Sequence, residues 1–214
     1  MKTAGIIFVV LLLIAYAGVA GRLLLARRST DATIPFTGKI SGKTAVVYYS
    51  QSNVHNTETV ARWIAKHTGG DLIALEMSEP YPEPYPSTLK AVGKDRKAGT
   101  LPALREIPKL DGYDLVFLGS PIWYGTYALP VGTFLKGNPL QGKTVAPFCT
   151  HGGGGCGRFI EELRKACPGA RVLDGLAIRG SNQIERRLGF GVGVRHTEDD
   201  VVTWLNSQFS ERAR

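Results

Sequence analysis

The chain has 214 residues and a formal net charge of +8. Hydrophobic residues make up 43% and charged residues 21%, which excludes a disordered chain and suits one domain with a real core. The basic residues are scattered, with no aromatic-and-basic cluster of the kind that grips nucleic acid.

In chain order, the first 30 residues stand apart. Ala4 to Gly21 reads AGIIFVVLLLIAYAGVAG without a charge. Eighteen such residues in a helix span roughly 27 Å, close to a bilayer core. Two readings compete for residues 4–26. One is an uncleaved membrane anchor; the other is a cleavable signal peptide, because AYA and GVA resemble small-residue cleavage sites. The length of the run, and Arg22, Arg27 and Arg28 within or just after it, point toward the anchor. The positive-inside rule then places the rest of the chain in the cytoplasm. Four basic residues and one acid precede Gly38. They leave a mildly basic domain of about +5 that would suit an anionic membrane surface.

Residues 27–42 are short, polar and broken by Pro35, Gly38 and Gly42, as a linker is. A domain is then expected over 43–210. KTAVVYY (43–49) is a continuous apolar run, suited to a strand buried on both faces. TETVARWIAKHT (57–68) has helical spacing, and DLIALEM (71–77) reads as a second strand. A proline-rich loop (78–86) precedes a polar helix over 87–100. YDLVFLGS (113–120) is a third strand, and 128–137 a helix with Pro130 in its first turn. KTVAPFCT (143–150) is a fourth strand, 157–167 an amphipathic helix and 170–180 a fifth strand. Residues 198–210 form a last helix whose acidic first turn suits the helix dipole. This alternation predicts an α/β fold with a parallel sheet covered on both faces.

Ligands of such sheets sit beyond the carboxyl ends of the strands, where strand order reverses. Three loops therefore matter. SQSNVHNT (50–57) holds Ser50, Ser52, Asn53, Asn56 and Thr57, and has no Lys or Arg. Hydroxyls, amides and free N–H groups at a helix start can cradle a phosphate; a plain helix cap is the simpler alternative. SPIWYGTYALP (120–130) carries Trp123, Tyr124 and Tyr127, which either cover the core edge or wall a planar ligand. CTHGGGGCG (149–157) joins a buried strand to an amphipathic helix.

Two look-alikes fail on context. GNPLQGKT (137–144) matches the phosphate-loop pattern, but a helix precedes it and a strand follows. The His151 and glycine run resembles a lipase oxyanion loop, yet the chain has no G-x-S-x-G elbow. A zinc site or nucleophile built on Cys149, His151 and Cys156 lacks a fourth ligand or a workable dyad. Three cysteines without framework spacing point to free thiols rather than a disulfide scaffold.

YDLVFLGSPIWYGTYALPVGTFL (113–135) and KTVAPFCTHGGGGCGRFIEEL (143–163) carry long motifs that resemble the flavodoxin family, over about 43–209. The resemblance implies a doubly wound five-stranded parallel sheet in the order 2-1-3-4-5, here preceded by an N-terminal hydrophobic helix, with FMN at the switch point. It implies that Ser50, Ser52, Asn56 and Thr57 hold the phosphate. It places His55 where the family has a glycine, with Asn53 available for a positive φ. Pro121, Ile122, Trp123, Tyr124 and Gly125 would form the second flavin loop, with Trp123 or Tyr124 against the ring. Thr150, His151, Gly152 and Gly153 would offer backbone N–H groups to the ring's polar edge. The expected function is electron transfer, or flavin-dependent reduction of a small acceptor such as a quinone, at a membrane. The alternatives are a cofactor-free interaction domain and, more remotely, a hydrolase using His151. A soluble electron carrier of this family tends to be acidic, and this domain is basic.

Overall fold

In the computed structural model the described residues are 33–51, 55–180 and 197–210. Five parallel segments build the sheet: β1 (Thr44–Tyr48), β2 (Asp71–Ala74), β3 (Leu115–Trp123), β5 (Thr144–His151) and β6 (Arg171–Val172), in the order β2-β1-β3-β5-β6. β4 (Thr126–Tyr127) pairs with β3 antiparallel, and β7 (Leu176–Arg179) pairs with β5 in parallel. The fifth expected strand is thus two pieces, interrupted at 173–175, both lying along β5.

The apolar runs dictate this arrangement. Successive strand residues point to opposite faces. Val46 and Phe117 enter one apolar cluster with Phe148, Ile64 and Leu205, whereas Val47 and Leu118 enter the other with Phe134, Phe159 and Leu163. Helices α1 (Asn56–Thr68) and α5 (Glu198–Phe209) cover the first face. Helices α2 (Tyr85–Ala98), α3 (Leu129–Gly137) and α4 (Phe159–Ala166) lie against the second. Pro130 stands in the first turn of α3, where a missing N–H costs nothing. The phosphate-loop look-alike is the end of α3, a turn with Gly142 at φ +74°, and the start of β5.

Residues 33–39, within the segment read as a linker, are strapped to α5. Asp199 accepts from the Ile34 and Thr33 N–H groups, and the Asn206 side chain bonds Thr37 and Pro35. Phe36 and Ile40 pack on the cluster beneath.

The membrane placement requires correction. Residues 4–26, the expected hydrophobic helix, lie outside the described residues. Among the described residues no helix is long and apolar enough to cross a membrane. The longest, α2, has 14 residues; it spans about 21 Å against a bilayer core of about 30 Å, and it carries four cations. A membrane-anchored, cytoplasm-facing location therefore does not stand.

Candidate functional site

β1 runs out to β2 on one side and β3 on the other, so strand order reverses between β1 and β3. The loops that leave the carboxyl ends of β1, β3 and β5 meet there.

The first loop begins at Ser50, half-buried at the end of β1. Ser52 and Asn53 lie outside the described residues. His55, the N-cap of α1, has φ +51° and ψ +36°. The left-handed position that the resemblance gives to glycine is therefore taken by His55, which bears the steric cost of a Cβ there. Neither Asn56 nor Thr57 caps the helix; both lie inside it. Thr57 is 1% exposed, and its hydroxyl hydrogen-bonds the Thr150 hydroxyl at 2.8 Å. It is a strut between the first and third loops. Asn56 packs against Gly180, where any side chain would collide with its amide.

The second loop is a hairpin. β3 continues through Pro121, Ile122 and Trp123, and Ile122 and Trp123 pair with Tyr127 and Thr126. The two connecting residues, Tyr124 and Gly125, have φ +53° and +76°. Two positive φ values in a two-residue turn match the right-handed twist of the flanking strands. Ser120 braces the hairpin from below: its Oγ accepts from Ala128 N–H and donates to the Pro121 carbonyl. The two candidate ring-stacking aromatics part company here. Trp123 is 5% exposed and meets Tyr49 and Tyr81 edge-on, so it is a core residue. Tyr124 is 51% exposed, with its hydroxyl donating to the Leu89 carbonyl at 2.8 Å.

The third loop leaves β5 at Thr150 and His151. A Cβ built on Gly152, Gly153, Gly154 or Gly155 meets no other group within 4 Å. The space beside each of these backbone positions is open. The His151 ring gathers the loop: its Nδ1 accepts from Gly153 N–H at 3.0 Å and Gly155 N–H at 3.1 Å. The Gly153 N–H is thus already committed within the loop, whereas those of Gly152 and Gly154 make no hydrogen bond within the described residues. Gly157, at φ +52°, lies against the Gly125 carbonyl, which also accepts from Arg158 N–H at 2.8 Å. Second and third loops are therefore locked together, as Thr57 and Thr150 lock first and third.

The expectation of free thiols is overturned for two of the three cysteines. Cys149 and Cys156 form a disulfide around the third loop, with Cα atoms 5.9 Å apart. Cys149 Sγ is therefore neither a nucleophile nor a thiolate ligand. Cys167 is free and buried, and burial pushes its thiol pKa up. The signal was present in the sequence as two cysteines bracketing a glycine run; spacing alone did not show that the chain turns back between them.

Arg158 closes the rim. It pairs with Glu162 at 2.9 Å, and Glu162 accepts from the Thr126 hydroxyl at 2.5 Å. Burial pushes the Glu162 carboxyl up, but these two partners outweigh it and hold the pKa below the usual value. Beside Tyr124, Lys90, Gly93, Lys94, Arg96 and Lys97 of α2 line a hollow of about 610 Å³. None of these four cations has a carboxylate partner within 4 Å among the described residues.

Three strand-end loops thus join at the reversal of a doubly wound parallel sheet, the place where ligands of such folds sit. The chain belongs to the flavodoxin family: residues 43–188 match the family model described as flavodoxin. A protein assigned as a flavoprotein from Bacteroides eggerthii is similar at 26% identity, covering 80% of this chain and 100% of its own, with a TM-score of 0.62. Another such protein, from Bacteroides uniformis, is 25% identical over 70% of this chain and 98% of its own, with a TM-score of 0.58. A flavoprotein from Lactobacillus acidophilus, solved in complex with FMN, is 23% identical over 69% of this chain and 98% of its own, with a TM-score of 0.55. No curated protein matches the chain.

Proposed function

We propose that the chain binds FMN in the crevice between the three loops and is a flavin-dependent redox protein acting on a small acceptor. The observation that carries this reading is the open glycine run of the third loop, fastened on both sides to the other two loops, of which the second carries the exposed Tyr124. The residues suit the group. Gly152 and Gly154 bring uncommitted N–H groups to open space, where an anionic or carbonyl edge can be met without a side chain in the way. Tyr124 supplies the accessible aromatic face. Ser50, Asn56 and the N-terminus of α1 offer a hydroxyl, an amide and helix-start N–H groups to a phosphate, as the sequence also expects of Ser52 and Asn53. Pro121, Ile122 and Gly125 shape the hairpin edge, and Thr57, Thr150 and His151 hold the loops in register. The flavodoxin match and the FMN complex of the Lactobacillus relative support the choice of ligand.

FMN, when bound, supplies the electron-transfer chemistry, and the protein sets its orientation and surroundings. The basic hollow beside Tyr124 favours an acceptor or donor that carries negative charge. Titrating the purified protein with FMN and following quenching of flavin fluorescence tests the reading. Saturable binding is expected; no uptake of FMN would leave the cofactor-free interaction domain as the better account. Adding NADH or NADPH to the loaded protein and watching the flavin absorbance then separates an enzyme from a carrier.

A further inference from the structure

We propose that Cys149 and Cys156 are a reversible thiol–disulfide site that sets how tightly the third loop holds FMN, tight when bonded and weaker when reduced. The proposal rests on the FMN reading above.

Between the Thr150 contact at its start and the Gly157–Gly125 contact at its end, little else keeps the glycine run in shape. A run of glycines loses more conformational freedom on ordering than any other sequence, and the four in 152–155 have no neighbour that a Cβ would touch. No side chain of that run packs on the core. What fixes it are the two N–H bonds into His151 Nδ1 and a covalent bridge across residues 150–155. The bridge is anchored firmly at one end. Cys149 is fully buried in β5, between its ladder partners Ser120 and Ala177. The other end is less enclosed: Cys156 is half-buried at the edge of the apolar cluster, its sulfur 3.7 Å from the Leu176 carbonyl. One cysteine is thus part of the rigid sheet and the other part of the loop, so the bond ties the glycine run back to the sheet. Preordering a binding loop strengthens binding by lowering the entropy lost when the ligand arrives.

The chemistry balances with a dithiol as reductant. Its thiolate attacks the Cys156 sulfur, the S–S bond breaks, and Cys149 leaves as a thiolate that takes up a proton. The reductant's second thiol then displaces Cys156 from the mixed disulfide. Two electrons and two protons pass to the protein, giving two cysteine thiols as the reductant closes its own disulfide. Cys167, 1% exposed, stays outside the exchange.

The test uses the full chain purified without reductant. Alkylation in denaturant followed by mass spectrometry should find one modified cysteine before dithiothreitol and three after it. The FMN dissociation constant should rise about tenfold on reduction, as the ordering cost returns to the binding step. Cys156→Ser should show the weaker affinity with no response to dithiothreitol, and Cys167→Ser should keep the full response. Amide exchange over 152–157 should also quicken on reduction, a readout that needs no FMN. Unchanged affinity and exchange in fully reduced protein would overturn the proposal, as would three alkylatable thiols in the untreated protein. Failure of FMN to bind the oxidised protein would instead sink the FMN reading itself.

Discussion

His151 shows how much one side chain can decide. Its Nδ1 can accept two N–H bonds only as a neutral ring carrying its proton on Nε2. Each such bond is worth about 1 kcal/mol net. His151→Ala should therefore weaken FMN binding by roughly tenfold or more while moving the unfolding midpoint little, because the loop is exposed; paired fluorescence titrations and thermal melts check both. The glycines of the same loop separate into two kinds. Gly152 has open space and an unstrained backbone, so Gly152→Val should fold normally and bind FMN poorly. Gly157 has φ +52° and no room beside the Gly125 carbonyl. Gly157→Ala should lower stability by at least about 1 kcal/mol, since the left-handed conformation alone costs that much for a residue with a Cβ, and denaturant unfolding reads it directly.

At the scale of elements, α5 is held to α1 by a buried carboxylate. Glu198 is 1% exposed and lies 2.6 Å from His67 Nε2 and 3.0 Å from Lys66 Nζ. Burying a carboxylate is unfavourable unless it is partnered, and removing it leaves those partners without their acceptor. Lys66 is half-exposed, so the penalty falls below that of a fully enclosed pair. Glu198→Ala should cost about 2 kcal/mol in denaturant unfolding. The start of the same helix was legible in the sequence from its acidic first turn, Glu198, Asp199 and Asp200, and the fold adds a capping box between Thr197 and Asp200. The partner of Glu198 was not legible, because it comes from a helix 131 positions away. The second loop behaved likewise. Its run of apolar and aromatic letters marked a loop at a strand end, but only the pairing of Ile122 with Tyr127 showed a hairpin that buries Trp123 and exposes Tyr124.

For the whole molecule, charge sets two behaviours. Several carboxylates titrate below their ordinary values: Glu58 through its hydrogen bond from Arg62, and Asp199 through the Ile34 N–H and then Thr33. A depressed folded pKa adds stability above the unfolded value and loses it as pH falls through the folded one. Unfolding midpoints should therefore be flat above about pH 5 and decline below the ordinary values of 4.5 and 3.8. Asp199→Asn should make that decline shallower, since the strap at 33–34 then no longer depends on a titrating group. The second behaviour concerns the basic hollow on α2. Charge reversal of Lys94 and Lys97 to Glu should raise the KM for an anionic acceptor several-fold, and the effect should fade with added salt, as screened electrostatic attraction does. Steady-state rates at low and high ionic strength test it.

The amino-acid sequence by itself determined the alternation of strands and helices, the layering around a parallel sheet and the three loops that meet beyond the carboxyl ends of β1, β3 and β5. Each of these is written as a pattern along one element or as a motif at a strand end: continuous apolar runs at Val46 and Phe117, helical spacing at Val60 and Ile64, glycines after Thr150. The tertiary structure decided what crosses between elements. It joined Cys149 to Cys156, turned the His151 ring onto its own loop, sent Trp123 inward and Tyr124 outward, gave the left-handed turn to His55, and laid residues 33–39 along α5. Periodicity records burial against an average environment. A bond or a contact across the fold depends on which distant residue arrives opposite, and only the folded chain supplies that partner.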